Sequence, residues 1–191
     1  MLRVIKPPAG EMLSFEGDIG RMHLRLDSDT DEGDLISFYG RAARSLIEHQ
    51  TGRFMNLTTV QIAANGFDRD RLSLQTNPVQ TIEWIKYIDP AGVEHTVSPD
   101  DYTVDNRGMF SCAMLKFGKR WPETAKVAEA VTAQFVAGYG EESSTIPDDI
   151  KMWALLQIAL WYENREAAVK DLRNALPYTR DLIDKYRLVL A

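Results

Sequence analysis

Cysteine is almost absent. Cys112 is the one thiol in 191 residues, so no disulfide can close within the chain, and the small secreted scaffolds that depend on disulfides are excluded. Long apolar runs are missing too. The most apolar stretch, residues 150–162, is interrupted by Gln157 and falls short of the ~20 apolar residues that cross a bilayer; it reads as a core helix. The opening MLRVIKPPAG lacks the apolar centre of a secretion signal, so the expected setting is the cytoplasm, with no membrane contact. Positive charge is outweighed: 22 Lys and Arg against 28 Asp and Glu leave a formal charge of -6. A surface that gains affinity by neutralising phosphates needs clustered Lys and Arg, so nucleic acid is not an obvious ligand. An acidic protein can still lie beside DNA, with repulsion keeping the DNA from sticking. What is present is ordinary for a globular chain: 45% hydrophobic and 26% charged residues, enough for one core or a core with a small satellite.

Along the chain, Pro7-Pro8 favours an extended arm. Phe15, Ile19, Met22 and Leu26 then recur at helical spacing, weakened by Gly17 and Gly20. An acidic lead-in of Asp27, Asp29, Asp31, Glu32 and Asp34 precedes Leu35, Phe38, Tyr39, Ala42, Leu46 and Ile47. Acids at a helix start offset the positive end of the macrodipole, and Gly52 stands where a left-handed cap belongs, so a helix is expected over residues 31–51. From Leu57 the period falls to 2, with β-rich runs over 79–88, 93–97, 102–104, 109–115 and 130–136 and a turn at Asp89-Pro90-Ala91-Gly92. Pro147 followed by Asp148 and Asp149 opens a long helix, and Leu182, Ile183, Tyr186 and Val189 pattern a last one. The expected fold class is α+β: mainly a helical bundle of N-terminal and C-terminal helices carrying an inserted small antiparallel β domain. Its parts are residues 1–56, an arm and helices; 57–138, the β insertion; and 139–191, the helices that complete the bundle.

Catalytic patterns are not found. His23, His49 and His95 fall in different elements, none with a second ligand at metal spacing. Cys112, between Ser111 and Ala113 in an expected strand, reads as a small apolar group more readily than as a thiolate. Gly138-Tyr139-Gly140 lacks the Gly-Lys-Ser/Thr end of a phosphate loop, and Asp100, Asp101 and Asp105 miss the EF-hand spacing. No catalytic, metal or cofactor-binding residue is assigned, and no cofactor is expected; a site assembled in space from His95, Asp101 and Cys112 is the enzyme alternative. Trp153, Trp161, Tyr162, Tyr178 and Tyr186 follow the buried stripe and read as core, some of them coverable in an oligomer. A non-catalytic protein that assembles with other subunits is the expectation.

Several strings, taken in order, resemble the head-to-tail connector (adaptor, head-completion) proteins of tailed phages, prophages and gene transfer agents. They are Pro7-Pro8-Ala9, His23-Leu24-Arg25-Leu26-Asp27, Asp34-Leu35-Ile36 through Gln50-Thr51-Gly52-Arg53, YIDPAGVEHT at 87–96, Pro99-Asp100-Asp101-Tyr102 with Val104-Asp105, and Trp121-Pro122. Phe135-Val136-Ala137-Gly138-Tyr139-Gly140, Ile146-Pro147, Trp161-Tyr162-Glu163-Asn164-Arg165-Glu166, Leu176-Pro177 and Tyr186-Arg187 complete the set. The similarity spans nearly the whole chain and departs at Gly17 and Gly20. It implies a structural virion protein: copies form a dodecameric ring beneath the portal, extend the DNA channel and give the tail its platform. The free protein would be a monomer in the host cytoplasm during assembly. Implied partners are the portal protein, further copies of the chain, and tail or neck (stopper) proteins, while DNA passes without specific binding. By the same resemblance, portal contact falls to Leu182, Tyr186, Arg187, Leu188 and Val189. Asp27, Asp29, Asp31, Glu32 and Asp34 would form the acidic channel surface. Another neck or tail-completion protein of the same particle is the nearest alternative.

Overall fold

Strands that alternate apolar and polar residues pair side by side to satisfy their backbone groups and bury one face against another layer, and those requirements organise the β-rich part of the structure. The computed structural model describes residues 2–13, 33–164 and 179–188. It divides into two units, Met1–Pro8 with Leu57–Tyr139, and Ala9–Asn56 with Gly140–Ala191. The first unit holds β1 (Leu2–Lys6), β2 (Thr58–Ala64), β3 (Arg71–Ser73), β4 (Val79–Ile88), β5 (Glu94–Thr96), β6 (Tyr102–Asp105), β7 (Cys112–Leu115) and β8 (Val131–Ala137). They form a five-stranded antiparallel sheet in the order β1-β2-β8-β4-β5 and a three-stranded one in the order β3-β7-β6.

β8 is the central strand. Val131, Ala133, Phe135 and Ala137 are buried along one face while Thr132, Gln134 and Val136 are half-exposed. Phe135 faces Val60 on one neighbour and Ile82 on the other. The turn after β4 forms by the mechanism its residues dictate: one Asp89 carboxylate oxygen accepts from the amides of Ala91 and Val93, both at 2.9 Å, and Gly92 takes φ +85°. The start of β4 is held by polar side chains. Asn77 donates to the carbonyls of Asn106 (3.0 Å) and Gly108 (2.8 Å), and Asn106 exchanges bonds with the Val79 backbone in both directions. Near the other end of β4, where Phe67 lies 6.4 Å from Tyr87, a ring stack runs from Tyr102 to Trp121 to Phe67, the last two parallel with centroids 4.4 Å apart.

The second unit carries α1 (Gly33–Thr51), α2 (Asp148–Glu163) and α3 (Thr179–Asp184), with α1 against α2 and α2 against α3. Ile36, Gly40, Ala43, Ile47 and Thr51 make one buried stripe on α1 at steps of three and four. α2 starts after Pro147, with Asp148 and Asp149 in its first turn, and ends where both the amide and the side-chain Nδ2 of Asn164 donate to the Leu160 carbonyl. It buries Ile150, Trp153, Ala154, Leu155 and Ile158, and the Trp161 ring lies 6.1 Å from that of Tyr39.

The expected mainly helical bundle with an inserted domain is overturned. Among the described residues, three helices stand against two antiparallel sheets of five and three strands, so the fold is mostly β. Leu2–Lys6, read as part of an extended arm, is a paired strand of the larger sheet. The helix expected from Phe15 to Leu26 lies outside the described residues, and the last helix is six residues long, ending at Asp184. Helical periodicity is loud in a sequence because its contacts are local; strand pairing is distant along the chain and adds weight to the fold without adding pattern.

Phe135 sits at 0% exposure between two strands. Phe135→Ala is expected to lower unfolding free energy by about 3–5 kcal/mol, read as a shift of the urea midpoint with unchanged slope.

Candidate functional site

The C-terminal segment is the first candidate, and a turn builds its seat. Helix α1 ends at Gly52, whose φ of +71° only glycine adopts freely, and the Gly52 amide donates to the Glu48 carbonyl at 2.9 Å. The reversal is closed by the Met55 amide, which donates to Glu48 Oε1 at 2.9 Å. Onto this turn the chain's last described residues dock. The Leu188 amide donates to the Thr51 carbonyl at 2.8 Å, and Arg53 Nε donates to the Tyr186 carbonyl at 2.6 Å. Side chains add to the seat: Ile183 is buried, Lys185 is ion-paired with Asp149 and the Tyr186 hydroxyl lies 3.4 Å from the same carboxylate. The lysine ammonium pulls the Asp149 carboxyl below its ordinary range.

Of the residues assigned to portal contact, this arrangement brings Leu182, Tyr186, Arg187 and Leu188 into one segment. Tyr186 and Leu188 give their backbones to the seat, Leu182 is half-buried, and Arg187 is exposed with Asp184 at 3.5 Å; Val189 lies outside the described residues. Of the acidic set, Asp34 stands exposed in the first turn of α1. Asp27, Asp29, Asp31 and Glu32 lie outside the described residues, as does Tyr178.

The three residues of the enzyme alternative go to separate partners. His95 Nε2 is 2.8 Å from Asp89 Oδ2 at an exposed sheet edge, and Asp101 pairs with Lys119 at 2.6 Å. Cys112 lies half-buried on β7, where burial pushes its thiol up rather than toward the reactive thiolate. No hydrogen bond or ion pair among the described residues joins any two of the three. Among the described residues, no three His, Cys, Asp or Glu side chains are grouped to hold a metal ion, and no helix is long and apolar enough to cross a membrane.

Sequence reasoning missed the exposed apolar positions. Phe38 on α1 is 58% exposed beside Tyr39, Phe117 stands fully exposed at a turn next to Gly118, and Val4 and Ile5 are exposed on β1. Phe38 belongs to the helical apolar pattern, so its outward position was hidden by its own periodicity. The Leu2-Arg3-Val4-Ile5-Lys6 run, rich in β-branched residues and ended by Pro7, carried a strand signal that Pro7-Pro8 masked.

Known structures share this fold over its whole length. The chain is similar to a chain from the neck of an empty GTA particle computed with C6 symmetry, at TM-score 0.79 and 25% identity, covering 100% of this chain and 97% of that one. A chain from the virion of a native gene transfer agent (GTA) particle matches at TM-score 0.77 and 26% identity with the same coverage. The fold is also that of a chain from the neck of a native GTA particle computed with C12 symmetry, at TM-score 0.72 and 24% identity. No protein-family model and no curated protein matches the chain.

Within the seat, burial pushes the Glu48 carboxyl above its ordinary 4.5, against the smaller opposing pulls of the Met55 amide and Arg44. Just above that ordinary value the folded chain holds a proton that the unfolded chain has released, so stability falls as pH rises through the window and then levels. Glu48→Gln keeps an acceptor for the Met55 amide without the charge. It is expected to be more stable than the parent at neutral pH and to lose this slope, read in urea melts from about pH 4 to about pH 8.

Proposed function

We propose that this chain is a structural subunit of the neck of a virion-like particle, an adaptor that assembles as a ring beneath the portal, extends the DNA channel and supplies the platform for the tail. The observation that carries the reading is the whole-length match to a chain of the GTA particle neck at 25% identity. The C6 and C12 symmetries of the matched necks support a ring of copies. The resemblance of the ordered motifs from Pro7-Pro8 to Tyr186-Arg187 points the same way.

The physical demands of that role suit the chain. A ring needs two different surfaces on each subunit that meet their complements on the neighbours, with closure set by the rotation between copies. A channel wall must not hold the genome, and a net charge of -6, with Asp27, Asp29, Asp31, Glu32 and Asp34 as the wall, repels phosphate. The segment of Leu182, Tyr186, Arg187, Leu188 and Val189 meets the portal, with the exposed Arg187 as its charged anchor. Assembly takes place in the host cytoplasm and the product resides in the particle neck.

Light scattering after size exclusion, on the chain alone and mixed with the portal of the same genome, tests the reading. The expected result is a monomer recruited onto the portal as a ring. A chain that joins only the assembled portal-adaptor complex is another neck or tail-completion protein, and one that joins neither overturns the reading. Arg187→Glu is expected to weaken portal capture about tenfold with an unchanged melting curve. The purified chain is expected to show no tight binding of duplex DNA in low salt, checked by fluorescence anisotropy.

A further inference from the structure

Strand β1 is the outer edge of the five-stranded sheet, and Arg3, Val4, Ile5 and Lys6 on it are all exposed. A strand within a packed sheet normally hides one of any two consecutive side chains. Here Val4 is 46% and Ile5 43% exposed, so this edge overhangs the core and leaves apolar groups uncovered. The opposite edge is β5, where Glu94, His95 and Thr96 are all exposed and Val93 before them is 52% exposed.

We propose that β1 of one copy pairs with β5 of the next, so that the five-stranded sheets of neighbouring subunits join edge to edge around the ring. This rests on the ring reading above and names its interface. Charge selects the pairing. Arg3 and Lys6 have no ion-pair partner among the described residues, and a β1-β1 contact would set them against their own copies. A β5-β5 contact would do the same with Glu94 and Asp89. Only the mixed contact places cations against carboxylates; Glu94 already holds Lys86 at 2.8 Å, yet its side chain stays 60% exposed. A contact between two different edges is heterologous, the kind that generates a ring rather than a closed dimer. Lys6, the register shift between Val4 and Lys6, and Pro7 directly after the strand are devices that guard an edge against indiscriminate pairing. They keep the edge short and leave one specific partner able to use it.

Ile5→Cys with Thr96→Cys, in a Cys112→Ser background, tests the contact with a short bismaleimide. Within one subunit the two edges are four strand spacings apart, about 19 Å, beyond the reagent's reach, so every cross-link is between copies. On the portal-bound assembly the double variant should give a ladder on denaturing gels that climbs past the dimer, while a mixture of the two single variants stops at the dimer. A portal-bound ring that gives no ladder overturns the edge pairing and leaves the ring reading standing. Failure of the uncross-linked chain to assemble on the portal overturns both.

Discussion

The pairing of β2 with β8 is the constraint on which the rest depends. It runs in unbroken register from Thr58 opposite Ala137 to Ala64 opposite Val131, which sets the points where the chain enters and leaves the β unit side by side. The five strands from β3 to β7 lie between them along the chain, so the stretch from Leu57 to Tyr139 returns to where it began. Within the helical unit, a bridge joins Asn56 and Gly140, and Asn56 Nδ2 donates to the carbonyls of Glu11 and Glu141 at 3.4 and 3.2 Å. Close approach here requires glycine: a Cβ on Gly140 would collide with the Thr145 side chain. The Gly138-Tyr139-Gly140 string, which looks like the start of a phosphate loop, is a packing device.

Two further features of this mostly β structure bear on assembly. The bond from the Leu188 amide to the Thr51 carbonyl and the bond from the Arg53 side chain to the Tyr186 carbonyl hold the last described segment at a defined place. A segment already held in place loses less conformational entropy in any further contact than an unanchored one. The exposed edges of the sheet, with cations at one end and carboxylates at the other, give the subunit a direction. An edge that carries cations and an edge that carries carboxylates are complementary to each other and not to themselves.

The local elements were readable in the sequence because their causes are local. The helix over residues 31–51 is found at Gly33–Thr51, and its end at Gly52 follows from one residue's tolerance of positive φ. The turn at Asp89-Pro90-Ala91-Gly92 closes a hairpin for the same kind of reason, a carboxylate that bonds two nearby amides. The balance of the fold was not readable. Two long helices dominate the pattern, whereas short strands such as Arg71–Ser73 and Cys112–Leu115 carry few residues each and acquire meaning only through partners at a distance.

What the sequence by itself determined, then, is the set of residues able to start, stop and turn: the acids before α1, Gly52 after it, Pro147 before α2, and the period-2 run of β8. Composition likewise settled that no disulfide could form within the chain, since it holds one cysteine. Only the tertiary structure decided that Leu2–Lys6 would be an edge strand, that Tyr186 and Leu188 would give their backbones to the turn at Thr51, and that Phe38 would face outward. The physical reason is the range of the interaction. Capping and turn formation act over a few residues, while edge position and exposure depend on which distant segment has already taken the other side of the strand or helix.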